Sequence, residues 1–342
     1  MLMRKLLLLV ISGALFQTAV AQDPNFSQFF VSPLTLNPAL TGKFNGNFRV
    51  AGNYRDQWPA ISKAFVTSTI SVDMPILRNK LDELDTWGVG LLAMTDKTAN
   101  GVLSTNMISL TTAYHKGLDE DGLHQIGVGF QGTYNTKRLD GTKLNFEDEL
   151  DQYGGWTIPS GEIVDNRQIN LSYFDVSLGA LYNGSTDGYN NFYLGASVYH
   201  INKPKESFAN DAFYTLSPRV TAHAGAALPI ADRTRTIYLS SLFSRQAGAN
   251  NIVAGGAVGF LLNNDEENPT NFYAGAWTRF NNVNDAIIPY IGLEFGSLRF
   301  GASYDVNISS LKTASQSRGG IEISLIYISR PGAYKGIPCP RF

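Results

Sequence analysis

Apolar and polar residues alternate along this chain with a period of two, over stretches longer than most strands. Leu298, Phe300 and Tyr304 occupy alternate positions, and Arg299 and Asp305 fall between them. Because successive side chains of a β-strand point to opposite faces, this alternation predicts a strand with one apolar and one polar face. The pattern recurs along the chain, which is therefore predicted to be all-β.

The sequence contains fourteen such segments. They cover residues 47–55, 64–73, 87–95, 103–116, 123–136, 171–183, 190–201, 218–229, 235–245, 251–262, 271–280, 286–295, 297–306 and 319–329. Most are about as long as a tilted transmembrane strand, roughly nine to eleven residues, whereas strands of soluble sheets have about five or six. An even number of long two-faced strands predicts a transmembrane antiparallel up-and-down β-barrel of about 14 strands.

The low charge of the chain agrees with a wall that meets lipid. Only 16% of the residues are charged, whereas about a quarter is usual in soluble globular chains. The formal net charge of −2 gives no electrostatic basis for binding nucleic acid. With one cysteine and four histidines, the chain has no intrachain disulfide and little material for a metal site.

The first residues are typical of an export signal. Arg4 and Lys5 precede an apolar run, and Ala19-Val20-Ala21 has the small-residue pattern of a cleavage site. We therefore expect a cleaved signal peptide at 1–21 and residence in the cell outer membrane. After residue 21 no stretch approaches the roughly 18 to 20 apolar residues of a spanning helix.

Prolines divide the rest of the chain. Pro24, Pro33 and Pro38 disfavour a regular strand or helix, so residues 22–46 are expected to run extended into the periplasmic mouth and help to plug the barrel. The barrel itself is expected at 47–329. A C-terminal tail follows at 330–342, also on the periplasmic side.

The apolar faces are expected to contact outer-membrane lipid and the polar faces to line the lumen. The lumen faces are rich in Gly, Ser, Thr and Asn, which is compatible with water or with a packed plug. Aromatic residues near strand ends are expected to form a girdle at the level of the lipid headgroups, although aromatic residues are enriched in strands generally. These are Tyr54, Trp87, Tyr114, Tyr134, Tyr182, Trp277, Phe280, Tyr304 and Tyr327.

One connection is long enough to suggest a function. Segment 137–170 exceeds thirty residues, and loops of that length in compact folds are usually functional. It is our candidate for a partner-binding surface, with Glu147, Asp148, Glu149, Asp151 and Trp156. The acids lack the spacing of a calcium loop, which favours a solvated loop over a metal site. Shorter candidate segments are 202–217 and 263–270.

Catalytic motifs are missing from the sequence. Gly127-x-Gly129-x-x-Gly132 matches a dinucleotide fingerprint only in letters, because it lies within a strand and opens no helix. His115 and His223 fall on lumen faces, where a hydrogen-bonded structural role is favoured over a phospholipase-like site. We expect no enzyme and no cofactor.

Several blocks carry a family resemblance. They are Gln22 to Phe30, Leu36 to Gly42, Tyr54 to Pro59, Asp285 to Asn307 and Ile337 to Phe342. Together they resemble the PorP/SprF family, membrane proteins of the type IX secretion and gliding motility machinery of Bacteroidetes. The positions that carry the resemblance include Ser27, Gln28, Asn37, Pro38, Gln57, Trp58, Pro59, Pro289, Gly292, Tyr304, Asp305, Cys339, Pro340 and Phe342.

The resemblance implies a non-enzymatic outer-membrane barrel that supports the secretion and cell-surface anchoring of a large partner adhesin. Its partners would be that adhesin and other type IX secretion components. In a close variant, the chain is a core component of the machinery. A different class remains open: an outer-membrane transport channel for a small or hydrophobic solute, similar to fatty-acid porins. A soluble exported β-sandwich is the third alternative.

Overall fold

A computed structural model describes residues 23–59, 65–78, 80–161, 169–208, 214–230, 233–263, 269–281, 283–310 and 312–329. Fourteen antiparallel strands form one closed barrel in chain order, and β1 pairs with both β2 and β14. The strands are β1 Arg49–Gln57, β2 Phe65–Ile76, β3 Thr86–Thr98, β4 Leu103–Gly117, β5 His124–Leu139, β6 Ile169–Ser185, β7 Asn191–Tyr199, β8 Arg219–Ile230, β9 Arg235–Gln246, β10 Ala249–Asn263, β11 Thr270–Asn281, β12 Val283–Phe295, β13 Leu298–Asn307 and β14 Arg318–Ile328.

The predicted barrel and its strand number are confirmed. Each observed strand end lies within three residues of its predicted position. The prediction succeeded because the wall of a barrel in lipid must pair every backbone group, which forces long, regular strands with alternating faces.

The two faces of the wall are also those predicted. In β14, Ile321, Ile323 and Leu325 are exposed on the outside, whereas Glu322 and Ser324 between them are buried in the lumen. β1 closes the ring against β14 with regular register along its whole length. The outer surface is therefore apolar, and the polar groups of the strands point inward.

The two ends of the barrel differ. At one end, here called the loop mouth, lie the connections 140–168 and 200–218. At the other end, the terminal mouth, shorter turns join the strands, and β1 begins and β14 ends there. Outer-membrane barrels generally have short periplasmic turns and longer extracellular loops.

Residues 23–43, here called the inner segment, lie inside the barrel. Gly42 donates its N–H to Asp73 near the terminal mouth, and Asp23 contacts His200 and Arg219 at the loop mouth. The segment thus crosses the lumen from one mouth to the other. It contains the 3₁₀ turns Phe29–Val31 and Pro38–Leu40 and the one-turn α-helix Pro33–Leu36.

The expectation of an extended inner segment is wrong in its middle part. Pro33 and Pro38 each occupy the first position of a helical turn. A proline is tolerated there because the N–H it lacks has no partner within the helix, and its fixed φ suits the first turn. The prolines therefore start short helical turns within the segment.

The lumen is not polar throughout. Between β9 and β12 an apolar cluster fills it, in which Phe30 of the inner segment packs against Trp277 and Tyr290 at ring-centroid distances of 4.9 and 5.6 Å. Trp277 was predicted to belong to the lipid-facing girdle, and that assignment is wrong. It lies on the lumen face of β11, where its indole N–H donates to Ser240.

The remaining helical pieces lie outside the lumen segment. They are the 3₁₀ turns Ala99–Gly101, Gly141–Lys143 and Glu147–Glu149 and the α-helix Lys312–Ser315. In the described part of the chain, every helix is too short to cross a bilayer.

Glycines of the wall allow the inner segment to approach the strands closely. A Cβ atom added at Gly179 would lie 1.9 Å from the side-chain oxygen of Asn37, and one at Gly129 would lie 2.3 Å from the backbone nitrogen of Ala39. Gly127 likewise has His115 at 2.2 Å, whereas Gly132 faces outward. The glycines of the fingerprint-like sequence thus serve packing in a strand, as predicted for Gly127 and Gly129.

We predict that Gly129→Val displaces the inner segment, because the new side chain would occupy the position of Ala39. The expected result is a several-fold higher ion conductance of the purified barrel in planar lipid bilayers. Gly132→Val is the matched control on the outer face of the same strand, and it is expected to conduct like the wild type. Equal conductance of the three proteins would contradict this packing.

Candidate functional site

The inner segment is held near the loop mouth by the carboxylate of Glu322. This side chain accepts the backbone N–H groups of Ser27 and Gln28 at 2.8 and 3.0 Å, and the amide of Asn53 at 2.9 Å. The amide of Gln28 adds bonds to Ser303 and Ser324. These hydrogen bonds attach the segment to β1, β13 and β14 at this corner.

Beside it, a second buried carboxylate joins the segment to two arginines. Asp305 accepts the hydroxyl of Ser27 at 2.9 Å and contacts Arg55 and Arg279 at 3.0 and 2.8 Å. Arg279 also pairs with Asp285 at 2.6 Å. The cluster contains two positive and two negative groups, whose charges balance.

In the middle of the lumen, the side-chain amide of Asn37 forms hydrogen bonds with the wall. Its Nδ2 donates to the carbonyls of Ala180 and Ala196 at 2.9 and 3.2 Å and lies 3.0 Å from Nε2 of His223. Its oxygen accepts the N–H of Ala39 and caps the turn that begins at Pro38. These contacts explain why an Asn-Pro pair is placed here.

Near the terminal mouth the chain turns back toward β1 around a buried ion pair. Arg49 donates two hydrogen bonds to Asp73, at 2.9 and 2.8 Å, and a third to the carbonyl of Leu40. Asp73 in turn accepts the N–H of Gly42, which has a φ of +71°. The inner segment is therefore fixed at both ends.

The loop-mouth end of the segment is an ionic latch. Asp23 lies 2.7 Å from His200, which follows β7, and 3.3 Å from Arg219. Burial acts against ionisation, but Arg219 and His200 hold the pKa of Asp23 well below its usual range. Burial likewise opposes protonation of His200, yet Asp23 and Asp175 raise the pKa of His200 to about 9. At neutral pH this site therefore carries an imidazolium.

Both lumen histidines lie within hydrogen-bonding distance of the inner segment. Nε2 of His115 lies 3.3 Å from the carbonyl of Thr41, and His223 contacts Asn37. Neither has a carboxylate partner among the described residues.

The family-resemblance positions fall into distinct places. Ser27, Gln28 and Asp305 meet in one cluster, Asn37 and Pro38 lie in the middle of the lumen, and Gln57 and Trp58 line the loop mouth. The others on the wall do not join them. Pro289 and Tyr304 face outward, Gly292 packs under Tyr290, and Pro59 is exposed. Cys339, Pro340 and Phe342 lie outside the described residues.

Sequence reasoning missed the partners of these positions. Arg55, Arg279 and Glu322 hold the segment, but each is one charged residue on the polar face of a strand. A charge on a predicted lumen face is a signal that was available, because an unpaired buried charge is costly. His200 and Asp23 had no such signal.

The predicted partner loop is folded by its own acids. Asp151 accepts the N–H groups of Tyr153 and Gly155 and the hydroxyl of Thr157. Asp148 bonds Ser160, and Glu149 bonds the N–H of Phe146. The described residues contain no group of three or more potential metal ligands.

Apolar side chains of this loop remain at the surface. Trp156 is 53% exposed and Tyr153 is 88% exposed. Their acidic neighbour Glu147 begins the 3₁₀ turn Glu147–Glu149. Exposed aromatic groups of this kind are typical of binding surfaces.

We predict that Asp305→Ala destabilises the barrel by about 3 kcal/mol or more, because it removes the ion-pair partner of the buried Arg55 and leaves Arg279 with Asp285 alone. The measurement is the temperature at which the folded, fast-migrating band is lost in gel electrophoresis. Asp82→Ala, which removes a surface ion pair with Lys116, is the control and is expected to change this temperature little.

We predict that the latch at Asp23 loosens in alkali, where Asp23 keeps Arg219 as a partner but loses the charge of His200. The pKa of His200 is raised, so its stabilising charge is fully present below about 6.5 and is lost as the pH rises through about 9. In a Cys339→Ser background, a spin label at Pro24 is expected to become more mobile across that range. With His200→Gln the label should be mobile already at pH 7, without further pH dependence; a label that is immobile throughout would refute the latch.

Comparison with solved structures supports the barrel. The toluene transporter TbuX of Ralstonia pickettii is similar over 88% of this chain and 94% of its own, with 9% identity and a TM-score of 0.54. A FadL homologue of Pseudomonas aeruginosa is similar over 85% and 92%, with 10% identity and a TM-score of 0.45. At such identities the likeness concerns the fold alone. No curated protein matches the chain.

A family model matches residues 18–327, which include the inner segment and nearly the whole wall. The model describes type IX secretion system membrane proteins PorP/SprF. The clusters around Ser27, Asn37 and Asp305 lie within the matched range. The chain therefore belongs to the PorP/SprF family of type IX secretion system membrane proteins, and its fold is that of an outer-membrane barrel.

Proposed function

We propose that this protein is a non-enzymatic outer-membrane barrel that supports the secretion of a large partner adhesin and anchors it at the cell surface. Membership of the type IX secretion family implies contact with other secretion components. The proposal includes export through a signal peptide cleaved after residue 21. It also includes a plug at 22–46, a barrel at 47–329 and a periplasmic tail at 330–342.

The observation that carries the proposal is the occupied lumen. Hydrogen bonds and ion pairs attach the inner segment to the wall at Asp23, Ser27, Asn37 and Gly42, from one mouth to the other. A barrel filled in this way offers a partner its mouths and loops. This supports an anchoring role over free passage of a solute.

We place the loop mouth outside the cell and the terminal mouth in the periplasm. The longer connections 140–168 and 200–218 support this orientation. The partner surface then includes Glu147, Asp148, Glu149, Asp151 and Trp156, together with the exposed Tyr153. Buried aromatic anchors usually dominate the binding energy of an interface, so the two aromatic side chains would contribute most.

Transport is the second candidate function. It is favoured by the apolar side of the lumen, where Phe30, Trp277 and Tyr290 border a cavity of about 20 Å³. That volume suffices for about one water molecule. A transport role for a hydrophobic solute would therefore require the inner segment to move.

We predict that deletion of the gene abolishes the surface display of one large secreted protein. The measurement is mass spectrometry of proteins released by protease treatment of intact cells. Wild-type protein supplied from a plasmid should restore the display. A transport function instead predicts altered uptake of a small solute and unchanged surface proteins, and that result would refute the proposal.

The same assay tests the partner loop. The double variant Tyr153→Ala and Trp156→Ala is expected to lower the display at least tenfold, because it removes two exposed aromatic anchors. The control is Leu118→Ala, which removes an apolar side chain about as exposed as Trp156 from a turn at the terminal mouth. All variants should keep the gel mobility of a folded barrel. Normal display of the double variant would remove the loop from the interface.

A further inference from the structure

A second cavity opens at the loop mouth and is here called the vestibule. It has a volume of about 350 Å³ and lies between the first residues of the inner segment, β1 to β3 on one side and β10 to β12 on the other. Its size falls within the range of about 300 to 1,000 Å³ found for ligand pockets. The inner segment forms part of its lining with Asp23, Pro24 and Asn25.

Neutral hydrogen-bonding side chains form part of the lining of the vestibule. Gln57, Thr98, Asn251 and Asn281 reach it from four different strands. The side-chain oxygen of Asn251 is buried and has no hydrogen-bond partner among the described residues. Since buried polar atoms are nearly always paired, this oxygen is an acceptor available to a bound molecule.

The charged groups of the vestibule already have partners in the wall. Asp23 pairs with His200 and Arg219. Asp96 accepts the hydroxyl of Thr67. Arg55 and Arg279 contact Asp305, and Arg279 also contacts Asp285. A strongly charged ligand would have to displace these ion pairs. The available chemistry therefore suits a neutral chain of donors and acceptors.

An aromatic pair forms one rim of the vestibule. Trp58 and Phe65 meet edge to face at 5.7 Å. Trp58 has a φ of +56°, and its backbone N–H donates to the carbonyl of Gly319 at 2.8 Å. A bulky residue in this left-handed conformation is strained, and such strain concentrates at ligand-binding positions.

Side chains at the loop mouth already bind the backbone of the inner segment. Arg55 donates to the main-chain carbonyl of Asn25, and the side chain of Gln246 accepts the main-chain N–H of Asp23. The residues from Asp23 to Phe26 have no regular secondary structure, and these two of their peptide groups bond to side chains of the wall. A second peptide beside them would meet the same kind of donors and acceptors.

We propose that the vestibule binds a short, uncharged, extended segment of the secreted partner, with its peptide groups bonded to Gln57, Thr98, Asn251 and Asn281. An aromatic or aliphatic side chain of that segment packs on Trp58 and Phe65. This inference rests on the proposed function and names a site for it. Because the segment also contacts Asp23 to Asn25, its binding involves the end of the inner segment.

Filling the vestibule tests the site. Asn251→Trp and Thr98→Trp place an indole in it from opposite walls, and each is expected to lower surface display of the partner at least tenfold. Ile252→Trp and Lys97→Trp are the matched controls, since these neighbours lie on the outer face of the same strands. The controls should display the partner normally, and all four variants should retain the gel mobility of a folded barrel.

Crosslinking in intact cells identifies the occupant. Phe65 is replaced by the photo-crosslinking residue p-benzoylphenylalanine, and Phe280, which faces outward at the same mouth, is the control position. The expected product joins position 65 to one continuous segment of the partner, located by mass spectrometry. It should be missing for position 280 and in the Asn251→Trp background.

Each other outcome overturns the proposal. A product whose added mass is removed by deglycosylation would identify a glycan as the occupant. A crosslink only within the barrel chain, or normal display with the vestibule filled, would exclude a partner site there. If filling has no effect while gene deletion still abolishes display, the anchoring function stands and the vestibule fails; if deletion also has no effect, the function itself fails.

Discussion

The attachment of the inner segment to Asp305 and Glu322 is the interaction on which the interior of this barrel depends. These two carboxylates are 2% and 1% exposed, and the groups that pair them come from the inner segment and from Arg55 and Arg279. An isolated buried charge is very unfavourable. The wall and the segment are therefore stable together, because each supplies the partners that the other requires.

The wall could be predicted from the sequence, whereas the interior could not. A strand of the wall has lipid on one side and the lumen on the other, and its backbone must be fully paired, so its apolar and polar residues alternate. This alternation located all fourteen strands. The residues of the inner segment follow no such periodic pattern. Trp277 looked like a girdle residue because its place on the lumen face depends on Phe30, which is far away in the chain. Pro33 and Pro38 were interpreted as residues that exclude helix. They begin helical turns because the residues that follow them are held in helical conformation by their contacts with the wall.

The candidate site was predicted in part. Resemblance to a family marked Ser27, Gln28 and Asp305, and the structure brings these three together. It did not mark Arg279 or Glu322, although Arg279 pairs with Asp305 and Glu322 accepts the N–H groups of Ser27 and Gln28. The contacts join residues more than 200 positions apart, and a single sequence contains no information about such pairs.

The kind of contact that attaches the inner segment to the wall changes along its length. This determines which part of the segment a bound partner could displace. Charged groups hold it at the two ends, through Asp23 and Asp305 at the loop mouth and Asp73 at the terminal mouth. Its middle is held by neutral bonds of Asn37 and by packing of Phe30. A ligand in the vestibule meets the first of these ionic ends directly. A ligand shifts an equilibrium between two states only if it contacts them differently. Binding in the vestibule can therefore change the attachment of the inner segment at its loop-mouth end.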